Sequence, residues 1–200
     1  PQLDKLKDVV KMSLKGKLDI SGELYNKENS MLLNGKSDTL GGTFDFDFKN
    51  DKLNANLKNI DIQELTSMLD YSKIFDSKAN FNLDYDLLTK KGNLLGKLTN
   101  GHLLENNFVT LVNQLVKVEL TKEVYETFDI NTKINDRILT SDLIMKSQNT
   151  QFNIKDSILD LEKNLIDAKI NTTINDKTLD INLKGETSSP QISVDAKDLL

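Results

Sequence analysis

Apolar and polar residues alternate along most of this 200-residue chain, and no other feature of the sequence restricts the fold so strongly. The clearest example is TFDFDFK (43–49), in which three phenylalanines point to one side of an extended chain and polar or charged residues point to the other. The same period recurs over residues 11–24, 79–98 and 128–194. The pattern predicts a mainly β protein of about a dozen antiparallel strands, each with one apolar face.

Two segments break the alternation and have helical spacing instead. In residues 61–70, Asp61 stands where a helix N-cap is expected, with Glu64 three residues later. In residues 103–118 the apolar residues form one stripe. We therefore expect two short amphipathic helices, the second with its apolar stripe at Phe108, Leu111, Val112 and Leu115.

Residue pairs typical of tight turns separate many of the predicted strands. Asn34-Gly35, Gly41-Gly42 and Asn50-Asp51 are of this kind, because glycine, asparagine and aspartate tolerate positive φ. TKINDRILTSDL (132–143) and TTINDKTLDINL (172–183) share an Asn-Asp pair between apolar residues. A hairpin turn explains the likeness of the two segments.

Composition excludes several classes of site. The chain has no cysteine, which rules out disulfides, thiolate zinc sites and cysteine nucleophiles. Its net charge of −5, with lysines and acids interspersed, argues against a nucleic-acid surface. No apolar run approaches the roughly 18 to 20 residues of a membrane span. Because the chain begins at Pro1 and not at Met, we expect residues 1–200 to be a single β-rich domain from a longer protein, which leaves room for an anchor or export signal upstream.

Nothing in the sequence indicates an enzyme. The single histidine, His102, has no cysteine or second histidine with which to share a metal ion, so we expect no metal site and no cofactor. Carboxylate pairs such as Asp45 and Asp47 lie on the polar side of alternating strands, where solvated surface is the ordinary role. No catalytic residue is predicted.

The apolar faces of so many strands must lie against something. We expect two sheets that either close into a sandwich or stay apart along one edge as a curled, open groove, and the few aromatics (6 %) and scattered glycines favour the groove. Such a groove suits the acyl chain of a phospholipid or similar ligand. The predicted lining residues are Leu14, Leu18, Ile20, Phe44, Phe46, Phe48, Phe81, Leu83, Tyr85, Phe152 and Ile154.

Two stretches resemble the C-terminal region of the AsmA-like family of bacterial envelope proteins. KGNLLGKLTNGHLLENNFVTLVNQL (91–115) reads as a hairpin leading into a helix, and LKGETSSPQISVD (183–195) as a closing strand pair. Asp61, Ile62 and Leu65 also match an element of that family, and the resemblance covers about residues 55–196. The matching residues of the closing segment are Gly185, Thr187, Ser188, Pro190, Ile192, Val194 and Asp195.

The resemblance implies a location and a role. AsmA-like proteins are anchored in the inner membrane by an N-terminal helix, extend into the periplasm as a curled β-sheet with a hydrophobic groove, and are implicated in phospholipid movement towards the outer membrane. By this likeness the chain would be a periplasmic lipid-transfer module with a membrane anchor upstream and possible envelope-protein partners. The alternatives are a non-catalytic structural or interaction β-sandwich of an envelope assembly, and a carrier for lipopolysaccharide or lipoproteins.

Overall fold

The chain forms one long sheet in which each strand pairs with its neighbours in sequence. The computed structural model describes residues 15–27, 30–175 and 177–195, and twelve antiparallel strands in these ranges form a single open sheet in the order β1 to β12. The mainly β, open-sheet prediction is confirmed, whereas the expectation of two sheets is wrong. The strands are β1 Ser21–Lys27, β2 Ser30–Thr39, β3 Gly42–Lys49, β4 Lys52–Asp61, β5 Phe75–Asp86, β6 Lys91–Leu103, β7 Thr127–Asn135, β8 Ile138–Lys146, β9 Thr150–Asp160, β10 Leu165–Ile174, β11 Lys177–Glu186 and β12 Gln191–Asp195.

The strand ends form two rims. Rim A contains the turns at 50–51, 87–90, 136–137, 161–164 and 187–190, and rim B contains the turn at 40–41, the helical segments and the turn at 147–149. Adjacent turns of rim A are joined by backbone hydrogen bonds, for example from the Leu87 N–H to the Asp51 carbonyl (2.7 Å) and from the Asp136 N–H to the Lys90 carbonyl (2.7 Å). Rim A is therefore a continuous hydrogen-bonded border.

Both predicted helices are present at rim B, and each begins at a polar cap. Helix α1 (Ile62–Met68) starts after Asp61, whose Oδ1 accepts hydrogen bonds from the Gln63 and Glu64 N–H groups at 2.9 and 3.1 Å. Helix α2 (Asn107–Val116) starts after Asn106, whose Oδ1 accepts from the Val109 N–H at 3.0 Å. These bonds satisfy N–H groups that have no partner within the helix.

Helix α2 is shorter than predicted, and its buried stripe is different. Residues up to Leu103 belong to β6, because they still pair with β5, and Lys117 ends the helix in the left-handed conformation (φ +55°). The buried residues are Val109 and Val112, with Phe108 and Val116 partly buried against the core, while the predicted Leu115 is 37 % exposed. A 3₁₀ turn, Leu120–Lys122, follows and buries Leu120.

The predicted strand over 11–24 is only partly present. Residues 11–14 lie outside the described ranges, residues 15–20 contain no strand, and β1 begins at Ser21. The Lys15 N–H donates instead to the Met68 carbonyl at the end of α1 (2.8 Å). This contact, which is remote in sequence, overrides the local alternation.

Three strands bulge at residues in the left-handed conformation. These are Asn59 in β4 (φ +56°), Asn100 in β6 (φ +53°) and Asp156 in β9 (φ +51°). At two of them a side chain on the neighbouring strand holds the bulged N–H: Asn80 Oδ1 accepts from Asn59 and Asp142 Oδ1 accepts from Asp156, each at 2.9 Å. Because bulges bend a strand and increase its twist, these positions curve the sheet.

We predict that Asp142→Ala lowers the free energy of unfolding by about 1 kcal/mol, since it removes the acceptor of the Asp156 N–H. Urea denaturation followed by circular dichroism measures the change. Asp142→Asn, which keeps a side-chain oxygen, is the control and should lose less than half as much. Equal losses in the two variants would show that the carboxylate charge, and not the bulge contact, stabilises this position.

Candidate functional site

The strand register aligns apolar residues into rows that cross the sheet. A central row begins at Ser37 in β2 and continues through one residue of each following strand, every member paired with the next. Ten steps of roughly 4.8 Å separate β2 from β12, so this row is about 48 Å long when followed along the sheet. Its members after Ser37 are Phe44, Leu57, Phe81, Gly96, Ile130, Leu143, Ile154, Ile170, Ile181 and Val194.

A second row runs beside the first, nearer rim A, and a row of mixed size lies between them. The rim A row consists of Leu33, Phe48, Leu53, Tyr85, Gly92, Ile134, Leu139, Leu159, Ile166 and Gly185. The row between them includes Gly35, Phe46, Ala55, Leu83, Leu94, Thr132, Ser141, Ser157, Ala168, Leu183 and Ile192. We call these three rows the apolar face. None of their residues is charged.

Aromatic rings cover Gly35 and Gly96 of the apolar face. A Cβ on Gly96 would lie 2.7 Å from the Phe81 ring, and one on Gly35 would lie 2.6 Å from the Phe46 ring. Gly101, nearer rim B, lies under Phe75 in the same way. Each ring therefore lies over the glycine of the neighbouring strand and occupies the space of a side chain there. The Asn34-Gly35 pair, predicted as a turn, is inside β2 for this reason.

Helix α2 closes the face at rim B. The centroid of the Phe108 ring of α2 lies 6.2 Å from that of Phe152, and the Phe152 centroid lies 6.1 Å from that of Tyr125. Val109 and Val112 of the helix are fully buried. The core beneath it extends to β10 and β11, where Ile174, Leu179 and Ile181 are fully buried.

Part of the apolar face is exposed at the β1 side of the sheet. Phe44, Phe46 and Phe48 are half-buried, and at the edge strand Leu24, which pairs with Leu33, is 64 % exposed. The described face is thus covered at rim B and partly exposed over β1 to β4, where Gly35, Ser37 and Ala55 are nonetheless buried.

Eight of the eleven predicted lining residues lie on the apolar face or its extension to rim B. Phe44, Phe46 and Phe48 come from β3, Phe81, Leu83 and Tyr85 from β5, and Phe152 and Ile154 from β9. Phe152 is 2 % exposed beneath α2, so it belongs to the core and is not accessible to a ligand. Leu18 and Ile20 precede β1, and Leu14 lies outside the described residues.

Most residues of the apolar face from β6 onwards were not among the lining residues predicted from the sequence. Leu94, Ile130, Leu143, Ile170 and Ile181 occupy it as fully as the predicted phenylalanines do. Their alternation was visible, but only the register of each strand with its two neighbours aligns them into rows. The signal that could have found them is the absence of charge at every second position through all the strands.

The opposite face of the sheet is polar. Its shallow concavity of about 610 Å³ near β6 to β8 is lined by residues such as Lys97, Asp129 and Asn131, with Leu95 and Ile144 exposed among them. Lys97 lies 3.9 Å from Asp129 across the strand pair. Cross-strand pairs of this kind are solvated and contribute little to stability.

A hydrogen-bonded cluster at rim B fixes the chain between α2 and β7. Glu123 accepts hydrogen bonds from Ser147 Oγ (2.6 Å) and Asn149 Nδ2 (3.0 Å), and Thr150 Oγ1 donates to the Tyr125 hydroxyl (3.3 Å). Partial burial raises the pKa of Glu123, but the hydrogen bonds outweigh it and the pKa is lowered from 4.5. Burial raises the pKa of Tyr125 to about 12, so this phenol stays neutral at ordinary pH.

No cluster of metal-binding side chains accompanies the face in the described ranges. His102 Nδ1 lies 3.1 Å from the Glu123 carbonyl oxygen, which ties β6 to the segment after α2. Within residues 15–27, 30–175 and 177–195, no three histidine, aspartate or glutamate residues are grouped so that they could hold a metal ion. In the same ranges neither helix is long and apolar enough to cross a membrane.

The fold and the face define a single-layer antiparallel β-sheet protein with one continuous apolar surface. No family model, curated protein sequence or solved structure matches the chain.

We predict that Glu123→Gln lowers the free energy of unfolding by about 1 kcal/mol at neutral pH, because charge-assisted hydrogen bonds are replaced by weaker neutral ones. A carboxyl whose pKa is lowered by folding stabilises the protein above its unfolded pKa and loses that contribution as pH falls through the folded pKa. The difference between wild type and variant should therefore shrink as the pH falls below about 4.5 and disappear below the lowered pKa of folded Glu123. Denaturation curves between pH 3 and 7 test this, and a pH-independent difference would contradict it.

Proposed function

We propose that this protein binds the hydrocarbon tails of lipids on its apolar face and transfers them between membranes. The observation that carries the proposal is the uncharged face that crosses the sheet without interruption and is buried in some places and partly exposed in others. A charged ligand finds no residue of opposite charge in these rows. An acyl chain needs none.

Burial of a methylene from water contributes about 0.8 kcal/mol, so a bare lipid crosses an aqueous gap with great difficulty. Movement of the same tail from a bilayer to an apolar surface is close to neutral in free energy. The protein therefore does not have to bind tightly. It only has to keep the tail out of water, which requires no catalytic group.

The likeness of residues 55–196 to AsmA-like proteins supports the same proposal and extends it. On this basis the ligand is a phospholipid, the location is the periplasm, and the transfer is between the inner and outer membranes, with an anchor outside the chain. The accessible part of the face, over β1 to β4, is the natural position for a tail to enter.

We predict that Phe46→Asp abolishes photo-crosslinking of a phospholipid that carries a diazirine on its acyl chain. Phe46 is half-buried on the face, and the centroid of its ring lies 5.4 Å from that of the stacked Phe44 ring. A bound tail would have to desolvate a carboxylate at this position, which is unfavourable. Thr43→Asp adds the same charge to the opposite, exposed face of the same strand and should crosslink like the wild type.

The same variants should be compared for transfer of a fluorescent phospholipid from donor to acceptor vesicles. We expect wild type and Thr43→Asp to accelerate transfer and Phe46→Asp to lose most of the acceleration. A folded wild-type protein that neither crosslinks nor transfers lipid would favour a structural module of an envelope assembly instead. Circular dichroism confirms that each variant is folded.

A further inference from the structure

The first residue of the central row, Ser37, has a buried hydroxyl without a hydrogen-bond partner. Ser37 is 6 % exposed, and its Oγ contacts no donor or acceptor. A buried polar atom left unsatisfied in this way costs about 1 to 3 kcal/mol, and native proteins rarely retain one without a reason.

Other buried hydroxyls on the same side of the sheet are satisfied within the protein. Ser77 Oγ donates to the Thr99 carbonyl (3.1 Å), Thr172 Oγ1 donates to the Gln151 carbonyl (3.0 Å), and Thr132 and Ser141 bond to each other (2.8 Å). Among the buried hydroxyls of this side in the described chain, Ser37 alone lacks a partner. Its O–H is therefore an unused donor, which a ligand on the face reaches only when the side chains that bury it move aside.

The surroundings of Ser37 favour a ligand that combines one acceptor with a long apolar part. The row continues from Ser37 to Phe44, Leu57 and Phe81, which present only hydrocarbon. Ile20, which is 41 % exposed and precedes β1, lies over Gly35, two residues from Ser37 on the same strand. Displacement of this exposed side chain would open the sheet surface beside Ser37.

We infer that Ser37 donates a hydrogen bond to the ester carbonyl of an acyl lipid whose tail lies across the strands over Phe44 and Leu57. This inference rests on the proposed function and specifies it further: the ligand is an ester-linked lipid, held at its linkage by Ser37. The Ser37 hydroxyl gives the face one unpartnered hydrogen-bond donor, at the β2 end of the central row. Lipid bound there has its linkage at β2 and its tail directed towards β5.

The test compares a diacyl phosphatidylcholine with its dialkyl ether analogue, which has the same tails and headgroup but no ester carbonyl. Binding of each by wild type and Ser37→Ala is measured by displacement of cis-parinaric acid. One neutral hydrogen bond corresponds to roughly a two- to tenfold difference in affinity. We expect wild type to prefer the ester lipid by that factor and Ser37→Ala to bind both lipids equally.

Ser77→Ala is the matched control, because Ser77 is also a buried serine on the same side of the sheet but has partners. It should retain the ester preference. The two variants should also differ without ligand: Ser37→Ala should raise the thermal midpoint, since it removes an unsatisfied hydroxyl, and Ser77→Ala should lower it.

The outcomes separate this inference from the proposed function. If neither lipid displaces cis-parinaric acid from the wild-type protein, both the proposed function and the role of Ser37 fail. If wild type binds the ester and ether lipids equally and Ser37→Ala does the same, the role of Ser37 is overturned and lipid binding by the face stands. An ester preference that persists in Ser37→Ala would also overturn it, since another group would then recognise the carbonyl.

Discussion

The pairing register of the antiparallel strands is the constraint on which the rest of this structure depends. Each strand exposes charged residues on one side and uncharged residues on the other, and a shift of one residue would exchange the two sides. In β3 such a shift would bring Asp45 and Asp47 to the apolar face in place of the phenylalanines. Tight turns and bulges with residues at positive φ, such as Asn50, Asn59 and Asp156, maintain the register from one strand to the next.

A single-layer sheet has to cover enough of its apolar side to fold and can leave the rest accessible. Helix α2 does the covering here: it buries the rim B ends of the strands under Phe108, Val109 and Val112. Stability is thereby concentrated at one rim, where the Glu123 hydrogen bonds add to it. The face over β1 to β4 contributes less burial, so it can exchange a protein contact for a lipid contact without unfolding the core.

Two kinds of contact would serve different parts of lipid transfer. The apolar rows would contact a tail weakly and without preference for position, and the Ser37 hydroxyl would make one directional contact. The hydrocarbon rows let a tail lie at any point at nearly the same free energy, which favours movement. A hydrogen bond at Ser37 would instead favour one position and one orientation of the lipid. The combination would load lipid in a defined direction and release it readily.

The sequence by itself determined which segments are strands, which side of each is apolar, and that Asp61 begins a helix, because side-chain alternation and capping are local properties of the chain. It misplaced Asn34-Gly35 and Leu103, where a ring from β3 or a pairing with β5 overrides the local signal. Only the tertiary structure decided that the strands form one layer, that α2 covers rim B, and that Ser37 has no partner. The physical reason is that alternation specifies an apolar side but not what lies against it, which depends on contacts between residues far apart in the chain.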